Sequence, residues 1–357
     1  RMLRNVHDAR YAGGVVFAFQ DEWFKGTWST APWEVPWERR RKWFSAESPE
    51  QSYGVMAYRP ARAGIRVDGD PSDWADVPIL ASASGGRGWD DLRELRMTSD
   101  EGWLYVLLRT AGGPQPPDRD RVAHRIAIDT VAADLGSTAL PEPGPVRVER
   151  GVEFVVDLAG PDDSRVLVVE GYDPTPARDG GAFAPPPAAP HRFVPLRFET
   201  NRERFGRDGT RYPAIVVERG KLRHGSLDPA SPDFDTRADV AVGSATGTIE
   251  LRIPWGLLNV ADPSTRRVLA RDDPTSTTFT SVPTDGFRIK AFAIDPRSPR
   301  RAPSDTLPRG DRFARYAWDG WDRPTATFEP KHGVDRIRDA MRAVPYRIAR
   351  VESVVAR

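Results

Sequence analysis

Aromatic and acidic residues alternate in a short stretch late in this 357-residue chain, and together they have the chemistry to contact a sugar. Trp318 and Trp321 flank Asp319 in the stretch YAWDGWD, which ends at Asp322. A flat indole ring stacks on the C–H groups of a pyranose, and a carboxylate accepts hydrogen bonds from its hydroxyls. Trp89, in the Gly-rich stretch GGRGWDDL, is a third candidate ring. These five residues are the predicted ligand contacts, with packing of the rings inside the fold as the alternative.

A second acidic cluster lies in VDGDPSDWADVP, residues 67 to 78. Asp68, Asp70 and Asp73 offer the carboxylate oxygens that Ca²⁺ prefers as ligands. Turns in which an Asp side chain accepts a hydrogen bond from the backbone two residues further on explain the same residues without an ion. We therefore predict no cofactor, with Ca²⁺ at this turn as the weaker alternative.

The body of the chain consists of strand-length apolar segments separated by Gly, Pro and Asp. The segments are LYVLLR (104–109), HRIAIDT (124–130), VEFVVDL (152–158), RVLVVEG (165–171), IELRIPWGLLNV (249–260) and FRIKAFAID (287–295). Short runs of β-branched and aromatic residues between turn signals are typical of antiparallel sheets. The predicted fold class is mainly β, an antiparallel β-sandwich of the immunoglobulin-like or jelly-roll-like kind.

Five short motifs follow one another between residues 62 and 322. They are an entry turn of the form DGxxxDW (68–74), a Leu-Tyr-Val strand core (104–106), a strand ending in Ile-Asp (128–129), an Ile-Pro-Trp knuckle (253–255) and a strand ending at Asp295. In this order they resemble the family 9 carbohydrate-binding modules and their DOMON-like relatives. The resemblance implies a non-catalytic domain that binds a polysaccharide or oligosaccharide by aromatic stacking. It also implies that Trp74 and Trp255 belong to the core.

The stretch YAGGVVFAFQDEWFKGTW, residues 11 to 28, carries a Gly-Gly entry, an apolar strand and the acidic rim Asp21, Glu22 and Trp23. It resembles the eighth strand and following loop of a TIM-barrel glycoside hydrolase. Eight strands are needed to close such a barrel, so the resemblance implies an N-terminal barrel of the same polypeptide before this fragment. The two working carboxylates would lie on earlier strands of that barrel. We therefore predict no catalytic residue here, and place Asp21, Glu22 and Trp23 at the barrel rim.

These observations divide the chain into three parts. Residues 1–58 are the predicted barrel remnant, residues 59–325 the sandwich with an insertion at 172–240, and residues 326–357 a C-terminal helical segment. Within the insertion, the Pro- and Ala-rich part to residue 192 predicts a mobile loop, and the turn at Asp208 and Gly209 predicts an added hairpin. Val334, Ile337, Met341 and Val344 have the spacing of one helix face after Pro330.

The composition of the chain restricts the kinds of binding partner that are expected. The 52 Lys and Arg residues nearly balance the 51 Asp and Glu residues, so the basic face of a nucleic-acid-binding protein is not expected. No apolar run reaches the roughly 18 residues that span a bilayer, which argues against membrane insertion. The chain contains no cysteine, which excludes thiolate chemistry. A secreted accessory region, extracellular or at the cell surface, agrees best with this composition.

Three rival hypotheses stay open at this stage. The sandwich could be a structural spacer without a ligand. DOMON-like relatives include haem-binding electron-transfer domains, for which Met97, His124 and Lys290 are the candidate ligands. A surviving enzyme activity would rest on Asp21 and Glu22 alone, and adjacent residues of a strand point to opposite faces.

Overall fold

In the computed structural model, the structure describes residues 5–6, 8–11, 17–25, 39, 42–48, 50–113, 122–131, 136–141, 146–175, 187–271, 273, 275–276, 278–295, 303–331 and 333–343. The helical spacing of Met2, Leu3, Val6 and Arg10 predicts a helix before the first strand, and residues 5, 6 and 8 are helical there. Trp28, Trp33 and Trp37, which are further candidate sugar contacts beside the predicted barrel rim, lie outside the described residues. Residues 176–186 of the Pro- and Ala-rich loop also lie outside them.

The described part of the chain is mainly β. Its first strands are β1 (Ala18–Gln20), β2 (Gly54–Pro60), β3 (Ile79–Ser82), β4 (Leu92–Ser99), β5 (Trp103–Thr110), β6 (Ala123–Asp129), β7 (Ser137–Ala139) and β8 (Arg147–Val152). Next come β9 (Phe154–Leu158), β10 (Arg165–Val169), β11 (Phe193–Pro195), β12 (Arg197–Asn201), β13 (Arg204–Phe205), β14 (Arg211–Tyr212), β15 (Ile215–Glu218) and β16 (Val240–Gly243). The last are β17 (Thr248–Pro254), β18 (Val260–Asp262), β19 (Arg267–Ala270), β20 (Thr280–Pro283), β21 (Phe287–Ile294), β22 (Pro303–Leu307), β23 (Ala314–Tyr316) and β24 (Ala326–Pro330), followed by helix α1 (Val334–Ala343).

Two larger antiparallel sheets form the body. The first has the strand order β16-β17-β5-β4-β3, and the second the order β11-β10-β9-β6-β21-β22, with β23 also paired to β21. The strand predictions are therefore confirmed to within a few residues, and so is a short C-terminal helix. Among the described residues, no helix is long and apolar enough to cross a membrane.

Alternate residues of the two sheets meet in one buried cluster. Leu104, Val106 and Leu108 of β5 belong to it together with Ile126 and Ile128 of β6. Side chains alternate between the faces of a strand, so these residues mark the inner face of each sheet. The two larger sheets therefore share one buried apolar cluster among the described residues.

Both sheets are also covered on their outer faces, which explains why their strands read as nearly continuous apolar runs. On the second sheet, Ala127, Val155 and Phe292 pack with side chains around β8 in a separate cluster. On the first sheet, Tyr105 and Leu107 pack with Val67, Trp74 and Ala241. The entry turn is therefore a cover for the outer face of the first sheet.

A side-chain hydrogen bond joins the entry turn to the apolar segment 249–260. The Trp74 Nε1–H donates to Glu250 Oε1 at 2.6 Å, and Glu250 Oε2 accepts from the backbone N–H groups of Asp68 and Gly69 at 2.9 and 2.6 Å. Burial raises the pKa of Glu250 to about 7. The predicted core positions of Trp74 and Trp255 are confirmed, because both rings are almost fully buried.

A separate three-stranded sheet joins the first and last parts of the chain. Its order is β1-β2-β24, with β1 parallel to β2 and β24 antiparallel to β2. Strand β2 runs across the predicted boundary at residues 58 and 59, and it pairs with the segment predicted to follow the sandwich. The three-part division of the chain stays a prediction.

The insertion contributes more than the predicted hairpin. Strand β11 pairs with β10 and so extends the edge of the second sheet. Strands β12 and β15 then pair with each other, and beyond them β13 and β14 pair around the Asp208–Gly209 turn. Gly209 has a φ of +81°, the left-handed conformation that this turn requires. We call residues 197–218 the hairpin arm; its predicted turn is confirmed.

Candidate ligand-binding surfaces

The rings of Trp318 and Trp321 lie inside the fold. They are 6% and 8% exposed. Trp318 packs on Trp255 with ring centroids 4.8 Å apart, and its Nε1–H donates to the backbone oxygen of Pro263 at 2.8 Å. The Trp321 Nε1–H donates to the backbone oxygen of Lys42 at 2.6 Å. Neither ring presents an open face on which a sugar could stack, so the geometry favours their packing role.

Asp319 and Asp322, by contrast, lie on the surface. Asp322 forms an ion pair with Lys42 at 3.1 Å. Position 320, between the two tryptophans in the sequence, requires glycine, because a Cβ there would approach the backbone oxygen of Ser264 to 2.7 Å. The turn therefore separates the predicted acceptors from the predicted rings, and the structure does not bring them into one groove.

Trp89 is also buried, at 6% exposed, and its backbone oxygen accepts a hydrogen bond from Nε2 of His124 at 2.6 Å. Burial lowers the pKa of His124 to about 4, so its ring is neutral near pH 7. The described residues provide no hydrogen-bond partner for His124 Nδ1 or Trp89 Nε1. Both side chains are buried, so the pair offers no open surface to a ligand.

Of the three candidate haem ligands, Met97 lies on β4 of the first sheet, whereas His124 and Lys290 lie on β6 and β21 of the second. Met97 and the inner-face residues Ile289 and Ala291 share the common core. Lys290 lies between those two residues on β21, points to the other face and contacts the rings of Phe292 and Phe313. Nε2 of His124 is engaged by Trp89. The geometry therefore does not bring Lys290 together with Met97 or His124 as a pair of haem ligands.

The acidic entry turn uses its carboxylates in backbone hydrogen bonds. Asp68 accepts from the N–H of Asp70 at 2.9 Å, and Asp70 accepts from that of Ser72 at 3.0 Å. Asp73 accepts from the N–H of Arg66 at 2.6 Å, and burial raises its pKa. Together they line a polar groove of about 350 Å³. The described residues contain no cluster of three or more His, Asp or Glu side chains arranged to hold a metal, so no geometry supports the Ca²⁺ prediction.

The predicted barrel-rim residues lie at the junction of the N-terminal sheet. Buried Asp21 accepts from the N–H groups of Gly54 and Tyr58 at 3.1 and 3.3 Å and pairs with Lys331 after β24. Glu22 pairs with Lys25 at 2.9 Å. The Trp23 ring stacks on that of Tyr58, with centroids 4.3 Å apart and planes within 9°. Asp21 and Trp23 thus hold this sheet together here.

A buried polar cluster at the ends of β6, β9 and β10 was not anticipated from the sequence. Glu153, fully buried, accepts from the backbone N–H of Thr130 at 2.7 Å. Burial, with the nearby charge of Asp129, raises the pKa of Glu153 to about 8. Burial also raises the pKa of Tyr172 and lowers that of Arg271 to about 10.

Several polar atoms of this cluster lack a hydrogen-bond partner among the described residues. They are Glu153 Oε1, the Tyr172 hydroxyl, Asn259 Oδ1 and Arg271 Nε. Their side chains are all at least nine-tenths buried, so a polymeric substrate cannot reach them. The only hint in the sequence is a charged residue within the apolar run VEFVVDL.

The hairpin arm carries the exposed aromatic side chains that the predicted platform lacks. Phe205 is 67% and Tyr212 55% exposed. Phe205 lies opposite Arg211 and Tyr212 lies opposite Arg204, so the two rings project from opposite faces of the two-stranded tip. Arg211 pairs with Glu203 at 2.6 Å beside Phe205. The N–H of Thr210 donates to Asp208 at 3.0 Å. Hydrogen bonds from the backbone and the side chain of Thr210 lower the pKa of Asp208. The sequence predicted these strands but gave no sign that their aromatic residues face solvent.

Comparison with known proteins adds no assignment: no protein-family model and no curated protein matches the chain. Its sites are therefore judged on geometry alone.

Proposed function

We propose that the chain is a non-catalytic carbohydrate-binding region built on a β-sandwich, which serves as an accessory part of a larger glycoside hydrolase-like protein. The sandwich assignment is supported by the single core that the inner faces of the two larger sheets share. An extracellular or cell-surface location follows from a polysaccharide ligand and belongs to the same proposal.

The observation that carries the binding proposal is the exposed aromatic ring on each face of the tip of the hairpin arm. Phe205 and Tyr212 offer ring faces to solvent. Arg211, Glu203 and ionised Asp208 supply donors and acceptors for sugar hydroxyls close by. Rings with a few polar groups at their edge are the composition that sugar recognition needs. We therefore move the proposed contact from Trp318, Trp321 and Trp89 to the arm.

Retention on insoluble polysaccharides, with a glycan array to find the ligand, tests this proposal. Phe205→Ala, which removes the ring on the same face as Arg211, should weaken retention about tenfold, since loss of a stacking ring costs on the order of 1 to 2 kcal/mol. Tyr212→Ala tests the opposite face of the tip in the same way. Phe19→Ala is the matched control, because Phe19 is equally exposed but lies on β1. Undiminished retention by the double variant would remove the arm from the site, and absence of retention by the parent protein on every glycan would favour the spacer hypothesis.

A further inference from the structure

The two faces of the arm tip differ in charge. On one face Phe205 lies opposite Arg211, whose guanidinium forms an ion pair with Glu203 at 2.6 Å. Glu203 precedes Phe205 by two residues, and its pairing with Arg211 places its side chain on the same face. The positive charge beside Phe205 is therefore compensated within the protein.

The opposite face carries an aromatic ring beside a charge that is not compensated. Tyr212 lies opposite Arg204 across the strand pair, so both side chains project from this face. The ring of Tyr212 lies toward Gly206, where an added Cβ would be 3.5 Å from it. Arg204 and Tyr212 are exposed, and their side chains form no hydrogen bond or ion pair with another residue that the structure describes. We call the surface formed by Arg204, Gly206 and Tyr212 the Tyr212 face.

The tip as a whole is positive, although the chain is nearly neutral. Residues 202–212 contain four arginines and two carboxylates, whereas the full chain has 52 Lys and Arg residues and 51 Asp and Glu residues. Glu203 is paired with Arg211, and Asp208 accepts hydrogen bonds from the N–H and the hydroxyl of Thr210 at 3.0 and 2.8 Å. Both carboxylates of the tip are therefore engaged, and the tip attracts negatively charged ligands.

We propose that the Tyr212 face binds an acidic sugar of a polysaccharide, with the sugar ring stacked on Tyr212 and its carboxylate or sulfate group bound by Arg204. Cβ atoms of directly opposite residues in an antiparallel pair are about 5 Å apart, so a sugar on the ring lies within reach of the guanidinium. The planar guanidinium presents parallel N–H donors that match two oxygens of such a group. This inference rests on the proposed function and adds the chemical class of the ligand.

Retention on matched pairs of polysaccharides tests the inference. Polygalacturonate is compared with its methyl ester, and sulfated cellulose with cellulose, so that the members of a pair differ in the anionic group and share the sugar backbone. The parent protein should be retained about tenfold more strongly by an acidic member than by its neutral counterpart. Raising the salt concentration from about 50 to about 500 mM should remove most of the difference, because salt screens exposed charges. The pair that shows the preference identifies the group as carboxylate or sulfate.

Arg204→Gln removes the charge and keeps a side chain of similar length. It should weaken retention on the acidic polysaccharide about tenfold, to the level of the neutral counterpart. Arg312→Gln is the matched control and should keep the parent preference. Arg312 is also exposed and without an ion pair to a described residue, but it lies between β22 and β23.

The outcomes separate this inference from the proposed function. Equal retention on both members of each pair, or retention on neutral glycans alone, would overturn the acidic ligand and leave the carbohydrate-binding proposal standing. Absence of retention on every glycan would refute both. Stronger retention on immobilised poly(dT) than on either acidic polysaccharide would assign the Tyr212 face to a nucleic acid and overturn the inference.

Discussion

Buried tryptophans in this protein tie together residues that are far apart in sequence. The indole N–H of Trp74 reaches Glu250, that of Trp255 reaches the backbone oxygen of Asp100, and that of Trp318 reaches Pro263. A buried indole contributes a large apolar area and requires a partner for its single donor. Each of these side chains meets both conditions. They are therefore expected to contribute to stability.

Trp318→Ala should lower the free energy of unfolding by about 3 to 5 kcal/mol, the range for truncation of a buried large aromatic side chain. The cavity would open between Trp255 and Phe287, both of which contact the ring. Chemical denaturation monitored by circular dichroism measures the loss. Phe205→Ala, at an exposed ring, should change stability by less than about 0.5 kcal/mol. A Trp318→Ala variant as stable as the parent would contradict the packing role and restore Trp318 as a ligand candidate.

Sequence and structure agree at residues where one motif determines the environment. Trp255 follows Pro254 within an apolar segment, so its burial could be predicted. Trp318 and Trp321 could be read either way, because the direction of each ring depends on the close approach of Gly320 to Ser264, a contact distant in sequence. Glu153 was missed for a related reason. Its burial depends on Thr130 and Asp129, which come from another strand.

At the scale of elements, the strands with strong apolar character were predictable and the short edge strands were not. The Asp208–Gly209 turn specified the hairpin locally. β11 has only three residues and no alternation of its own, and it becomes a strand because β10 offers a free edge. Ile215, Val216 and Val217 form an apolar run of the kind that is typical of a buried strand, yet all three are exposed. Local pattern thus predicts the pairing of a hairpin but not whether it docks.

Replacing residues 202–214 by a two-residue Asn-Gly turn should remove the arm tip at little cost to stability. The tip residues Phe205 and Tyr212 are exposed, so their removal sacrifices little buried area, and shortening a loop is favourable to folding by a few tenths of a kcal/mol. We expect the melting temperature to stay within about 2 °C of the parent value, and differential scanning calorimetry measures it. A fall of 5 °C or more would mean that the tip packs on the body in solution.

At the scale of the whole molecule, buried carboxyl groups make stability depend on pH. Burial raises the pKa of Glu153 to about 8 and that of Glu250 to about 7. The folded state therefore keeps protons that the unfolded chain releases above its ordinary pKa, so stability falls as pH rises toward these values. Burial lowers the pKa of His124 and of His224 to about 4, which costs stability only below about pH 6.5. The interval from pH 6.5 to 8 thus isolates the carboxyl groups.

Across that interval the parent protein should lose about 2 kcal/mol or more of stability, as one or two protons are lost differentially. Glu153→Gln, which is neutral at every pH and keeps an acceptor for Thr130, should flatten most of this slope. Urea denaturation at pH 6.5, 7.25 and 8 measures it. Asp319→Asn, at an exposed carboxylate, is the control and should keep the parent slope. A parent protein equally stable at pH 6.5 and 8 would show that Glu153 is already ionised in the fold.

The position of β17 in the first sheet has a consequence for the order of biosynthesis. β17 lies between β16 and β5, so the edge of β5 acquires its partner only after the whole insertion has been translated. Glu250, which anchors the entry turn through Trp74, emerges from the ribosome equally late. Until then the nascent chain carries β4 and β5 with an open apolar edge, the kind of segment that chaperones shield and that otherwise pairs with a neighbouring chain. The time that translation takes to pass through the insertion therefore sets how long this edge of β5 stays unpaired.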